Sequence, residues 1–245
     1  MKQKELSICG LAAVEARFAR DAGSILRLYF DYATGRKIGA MCKALAAAKK
    51  IYRCVEPPEL EKIAGSVHHG GIVAVVAAPV LDSPSEMEIH AWAARCEPLL
   101  LLDRIGNAHN LGAIARTAAF FGVRMLVLVE HPLAALPGDA AYRVAEGGLE
   151  HMDIFCVRDL AWFCRDLVTA GYDVIGAATK GGKLEVKDRR KNPVALVVGN
   201  EESGLAPDVA AACTRLVTIP GSGRVESLNV STAAAVLMWE LFARK

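Results

Sequence analysis

The sequence predicts an α/β protein in two units: a small αβα unit, then a larger one built on a parallel sheet. Three observations carry this reading. From Pro98 onward, apolar runs at residues 99–103, 125–130, 174–178 and 194–198 alternate with helical stretches, and each run is continuously apolar up to a closing Asp103 or Glu130 in the first two, rather than apolar at every second position. Such strands are buried on both faces, and their alternation with helices implies parallel crossover connections. Residues 79–97, PVLDSPSEMEIHAWAARCE, read as a linker, with Pro79, Pro84 and several polar residues. The charge also divides there: residues 1–78 carry 12 Lys/Arg against 7 Asp/Glu, a net +5, and the remainder 17 against 20, a net −3. That asymmetry points to a polyanion meeting the N-terminal unit, although a merely solvated face would have the same composition.

Taken in order, residues 10–22 form a helix with Leu11, Val14 and Phe18 on one face, and residues 25–30 a strand. Residues 34–50 read as one long helix carrying Arg36, Lys37, Lys43, Lys49 and Lys50, followed by a strand at 51–55. Pro57 and Pro58 open another helix, where a missing N–H costs nothing. His69-Gly70-Gly71 turns the chain into an apolar strand at 72–77. A unit of about 70 to 80 residues is large enough to fold as a domain. The linker holds a short helical piece around 89–96, and a flexible linker would let the small unit move.

Beyond the linker the expected order is strand 99–103, helix 111–121, strand 125–130, helix 139–147 and a strand region at 151–157. Helix 159–170, strand 174–178, loop Thr179-Lys180-Gly181-Gly182, strand 194–198 and strand 216–219 follow. Pro220, Gly221 and Gly223 break regularity, and a last helix opens at Asn229-Val230-Ser231, with Asn229 or Ser231 as its N-cap.

Composition narrows the classes. Hydrophobic residues are 53% and charged residues 23%, as expected of a soluble α/β protein. No apolar run approaches the ~20 residues of a membrane helix, and MKQKELSICG has no signal-like apolar core, so a cytoplasmic protein is expected. The 7 cysteines include no CxxC pair, and the 6 histidines are dispersed apart from His68-His69; neither a disulfide framework nor a metal site is expected.

Three stretches concentrate the chemistry. The first, residues 110–122, reads NLGAIARTAAFFG; the second, 196–205, LVVGNEESGL; the third, 216–241, LVTIPGSGRVESLNVSTAAAVLMWEL. The third joins a strand, a Gly-rich loop and a helix N-terminus, an arrangement that brings ligand close to backbone and offers free N–H groups. Gly221-Ser222-Gly223 is not a dinucleotide fingerprint, because the third glycine and the following acidic residue are missing.

Together these motifs resemble those of the SpoU/TrmH family, SPOUT-superfamily methyltransferases that act on the ribose 2′-oxygen of RNA. Asn107-Ala108 stands where the family usually has Asp-Pro, and Glu202 where it usually has glycine. Ala145-Glu146-Gly147-Gly148-Leu149 resembles a further family segment, with Glu146 where small residues are commoner. Ile8-Cys9-Gly10 and His69-Gly70-Gly71-Ile72 resemble the ends of the family's RNA-binding substrate domain. The resemblance implies a substrate-binding domain at 1–78, a linker at 79–97, and a SPOUT domain at 98–245 with a C-terminal trefoil knot and a homodimer. It implies S-adenosylmethionine as cofactor, bound by Thr179, Gly199, Ile219, Pro220 and Leu228. Arg116 would act on the ribose, with Asn110, Glu201, Ser227 and Asn229 positioning it, on rRNA or tRNA. A catalytically silent RNA-binding or ribosome-assembly protein with the same fold is the alternative. KDRRK at 187–191 reads equally as a phosphate contact or a solvated loop.

Overall fold

The computed structural model describes residues 4–182 and 192–243. Two sheets organise the chain. The first has four strands in the order β1 (Glu5–Cys9), β4 (Ile72–Ala77), β2 (Ile25–Phe30), β3 (Ile51–Cys54). β4 pairs antiparallel with β1 and β2, and β2 pairs parallel with β3. The five consecutive buried residues of β4 follow from its place between two neighbours. β1 was not anticipated; its short alternating pattern becomes a strand only because β4 offers a free edge.

The helix expected over 34–50 is two: α2 (Tyr32–Gly35) and α3 (Gly39–Ala47). Asp31 caps α2 by accepting from the Thr34 N–H at 2.7 Å. Ile38 leaves helical geometry (φ −106°, ψ 25°) and is buried. Glycines at 35 and 39 make continuation costly, and burying Ile38 rewards the break. Helices α1 (Leu11–Asp21) and α4 (Pro57–Ala64) complete this part.

The second sheet has six parallel strands, in the order β10 (Arg215–Val217), β8 (Asp173–Ala177), β9 (Val194–Gly199), β5 (Leu99–Asp103), β6 (Met125–Val129), β7 (Asp153–Val157). Its alternate residues sort cleanly. Leu100, Leu102, Leu126, Leu128, Leu196 and Val198 pack toward α6 (Ala108–Phe120), α7 (Asp139–Ala145) and α10 (Val230–Met238). Leu99, Leu101, Val127, Val174, Ala195 and Val197 pack toward α5 (Glu86–Ala94), α8 (Leu160–Thr169) and α9 (Pro207–Ala212). Both faces are covered, as the unbroken apolar runs required. The strand expected over 216–219 stops at Val217; beyond it the Thr218 hydroxyl accepts from the Gly182 N–H at 3.0 Å. α9 was not anticipated.

The linker does not leave the small unit free. One apolar core runs from Ile8, Val14 and Leu28 into Tyr142, Leu149 and Met152. Arg20 donates to the Glu150 carbonyl at 2.9 Å and to Asp153 at 2.7 Å, and the Ser7 N–H donates to Asp139 at 2.9 Å. The Arg17 Nε lies 2.7 Å from buried Glu150.

Candidate active site

Strand order reverses at β5, where β6 and β9 lie on opposite sides. In a parallel sheet that reversal opens a crevice beyond the carboxyl ends of the strands, where ligands bind. The first motif leaves β5 there and the second leaves β9; Asp103 and Gly199 are register partners at the ends of the two strands.

Asp103 and Arg104 brace the second motif. Arg104 is left-handed (φ 57°) and lies flat on Asp103, with Nε–Oδ1 at 2.8 Å and Nη2–Oδ2 at 3.0 Å. Arg104 Nη2 also donates to the Gly204 carbonyl at 3.2 Å, and its own carbonyl accepts from Asn200 Nδ2 at 2.8 Å. The hydrogen bond with buried Asp103 raises the Arg104 pKa further. An acid closing an all-leucine strand was the sequence signal for this pair. The loop then folds back on itself: a Cβ at Gly199 would lie 2.4 Å from the Gly204 carbonyl carbon and the Leu205 nitrogen. Close approach of its own loop therefore already requires glycine at 199.

Glu201 faces the start of α6. Its carboxylate accepts from Asn110 Nδ2 at 2.8 Å, the Gly106 N–H at 3.1 Å and the Asn107 N–H at 3.3 Å. Burial pushes its pKa up, but these hydrogen bonds outweigh that and hold the carboxyl below its ordinary value. Asn107, at the position of the unusual Asn-Ala pair, is the N-cap of α6, accepting from the His109 N–H at 2.8 Å. Asn110 Oδ1 in turn accepts from Asn229 Nδ2 at 3.2 Å, and Asn229 caps α10 through the Ser231 N–H at 2.9 Å. One chain of side chains, Glu201–Asn110–Asn229, thus joins all three motifs.

Arg116 lies on α6 beyond Asn110 but outside that chain. Its partner is Glu146, with Nη2–Oε2 at 2.9 Å and both side chains largely exposed. The sequence marked Glu146 only as a departure from the family segment; its pairing with Arg116 was not readable, because nothing local links residues 116 and 146. Ser227 is exposed and makes no hydrogen bond to the other described residues.

The proposed cofactor residues gather at the same edge. β10, β8 and β9 are adjacent and parallel, so the segments after 177, 199 and 217 all emerge together. Gly182 is pressed against this edge, where a Cβ would lie 2.5 Å from the Val217 carbonyl carbon. Ile219 packs against the core, Thr179 and Pro220 are exposed, and Leu228 is 50% exposed. Ile219 and Leu228 thus each leave apolar surface uncovered on the segment that follows β10. The 187–191 basic run lies outside the described residues.

Residues 97–239 match the model of the SpoU rRNA Methylase family, and residues 7–80 match that for RNA 2′-O ribose methyltransferase substrate binding. The chain belongs to the SpoU family. It is accordingly an RNA methyltransferase. Among SpoU relatives, it is 34% identical over 239 residues to the 23S rRNA (guanosine-2′-O-)-methyltransferase RlmB of Ralstonia nicotianae, covering 97% of this chain and 95% of that one. It is 32% identical over 240 residues to the uncharacterized tRNA/rRNA methyltransferase YfiF of Escherichia coli O157:H7, covering 98% and 68%. Its fold matches the AdoMet-bound rRNA methyltransferase of Sinorhizobium meliloti with a TM-score of 0.80 at 24% identity, covering 97% of this chain and 86% of that one. It also matches AviRb of Streptomyces viridochromogenes in complex with AdoMet, with a TM-score of 0.74 at 22% identity, covering 98% and 89%. Among the described residues, no helix is long and apolar enough to cross a membrane.

Proposed function

We propose that this SpoU protein methylates a ribose 2′-hydroxyl of structured rRNA or tRNA, in the cytoplasm. The observation that carries the reading is the Glu201–Asn110–Asn229 chain, which holds three distant segments together beside the helix bearing Arg116. The RlmB name of several relatives and the description of the N-terminal family model support the 2′-O position. S-adenosylmethionine supplies the methyl group when bound; Thr179, Gly199, Ile219, Pro220 and Leu228 are the residues that would hold it. Ile219 and Leu228 would flank the adenine and exclude water.

Arg116 is the residue for the hydroxyl. A guanidinium with a pKa above about 12 is a poor base. Its role is to bind the neighbouring phosphate and stabilise negative charge developing on the ribose oxygen. Asn110, Glu201 and Asn229 keep α6 in register with the loops, and Ser227, at the loop tip, is left to meet the ribose itself.

The same reading takes residues 1–78 as the RNA-binding unit, 79–97 as the linker and 98–245 as the methyltransferase unit with its trefoil knot. It also takes the protein as a homodimer. Phe120 is 82% exposed and Trp239 54% exposed, and Phe121 lies between them, edge-on to Phe120 and tilted against Trp239, with ring centroids 5.3 and 6.0 Å away. A patch of that kind is what an interface between two copies needs.

The test is to map 2′-O-methylated riboses in RNA from cells with and without this protein, alongside transfer of labelled methyl from S-adenosylmethionine to the RNA lacking the mark. A lost ribose mark, restored in vitro, is the expected result. Methyl recovered on a base, or no transfer at all, overturns the proposal.

A further inference from the structure

We propose that Glu146 is a positioning residue for Arg116: it occupies the guanidinium until an RNA phosphate displaces it. The site then opens only to strands that bring a phosphate to that point. The inference rests on the reading of Arg116 as a phosphate-binding residue.

Four observations carry it. The Glu146 carboxylate sits 2.9 Å from Arg116 Nη2. Glu146 holds a left-handed backbone, φ 45° and ψ 46°, where glycine or asparagine is the ordinary choice. A strained non-glycine residue beside a candidate catalytic group points to a role for its side chain. The turn is also clamped on both sides: a Cβ on Gly148 would lie 2.7 Å from the Arg116 Cα, and one on Gly147 would lie 3.3 Å from the Ala13 Cα of α1. Finally, Glu150, just beyond the turn, is buried and paired with Arg17, which also donates to the Tyr142 hydroxyl at 3.3 Å. The backbone of the turn carrying Glu146 is thus held between the N-terminal unit and α6, which keeps its carboxylate within reach of Arg116.

Because both partners are largely exposed, the pair is weak. A phosphate, able to take a guanidinium bidentately, outcompetes it. Until then the Arg116 charge is neutralised and contributes little to indiscriminate RNA binding.

The probe is a short single-stranded oligoribonucleotide of mixed sequence, bound at several salt concentrations to wild type, Glu146→Gln, Arg116→Ala and the double variant. Glu146→Gln should tighten binding about two- to fivefold, the worth of an exposed ion pair. Because the phosphate has already displaced Glu146 in the wild-type complex, the salt slope should stay near wild type in Glu146→Gln and flatten by about 0.7, one phosphate contact on a single strand, in Arg116→Ala. A merely structural role would not depend on Arg116, whereas here Glu146→Gln should do nothing in the Arg116→Ala background. Wild-type affinity in Glu146→Gln, or an equal gain in both backgrounds, overturns the inference. Single-turnover methyl transfer separates the two failures: if Arg116→Ala transfers at the wild-type rate, the reading of Arg116 fails. If it does not transfer and Glu146→Gln binds as wild type, only the role of Glu146 fails.

Discussion

Asn229 Nδ2 donates to Asn110 Oδ1 at 3.2 Å, so the residue that caps α10 is bound to the first turns of α6 across 119 positions of sequence. Asn110 spends its other polar atom on Glu201, and each member of the chain therefore holds its neighbour's rotamer.

Glu201→Gln should loosen that chain. Two backbone amides and Asn110 would face a neutral amide, at a cost of about 1–2 kcal/mol, reduced by the partial exposure of the group. The wild-type carboxyl is held below its ordinary value, so its contribution is complete above the unfolded-state pKa and is lost as pH falls through the folded one. Thermal unfolding followed from neutral to acidic pH should show a smaller acid loss in Glu201→Gln. Identical pH profiles would mean that the carboxylate does not stabilise the loop.

Arg116→Ala should slow single-turnover transfer by roughly two to three orders of magnitude, the typical cost of one preorganised donor. Cofactor affinity by calorimetry should stay near wild type, because the ion pair of Arg116 is with Glu146 and not with a residue of the loops after β8, β9 and β10. Arg116→Lys should also be poor, since an ammonium lacks the planar fork. Wild-type turnover in Arg116→Ala would reduce it to a surface residue.

Arg17→Ala should destabilise the whole chain by about 3 kcal/mol at neutral pH, by leaving a buried carboxylate without its cation. Burial already raises the Glu150 pKa, opposed by Arg17. Removing Arg17 raises it further, so the folded form takes up a proton more readily and the loss should shrink as pH falls toward the folded pKa. Denaturant unfolding at neutral and mildly acidic pH checks this; an equal loss at both would place the cost elsewhere.

On the proposed homodimer, Phe120→Glu should shift the protein from dimer to monomer in light scattering while circular dichroism shows the fold kept, because that ring is 82% exposed. A dimer that survives this change uses another face.

Much of the fold was legible because burial leaves a pattern. Strands β5, β6, β8 and β9 are buried on both sides, so they are apolar apart from Asp103 and Asp173 at strand ends, and the parallel sheet could be read directly. The N-cap role of Asn229 was readable for a different reason: a short polar side chain just before an apolar helical run keeps its capping chemistry wherever the chain places it. β1 was not readable, because a short strand is stabilised by the edge it joins. Nor was the break between α2 and α3, where burial of Ile38 outweighs local helix propensity.

The sequence by itself determined the fold class, the family and the residue types at the site. Only the tertiary structure decided which of those residues touch. It joined Glu201, Asn110 and Asn229, gave Arg116 to Glu146, made Gly199 a requirement of its own loop, and fastened α1 to Glu150 and Asp153 where a linker suggested freedom. Local pattern records whether a side chain is buried. The identity of its partner depends on where strands and helices far apart in sequence come to rest.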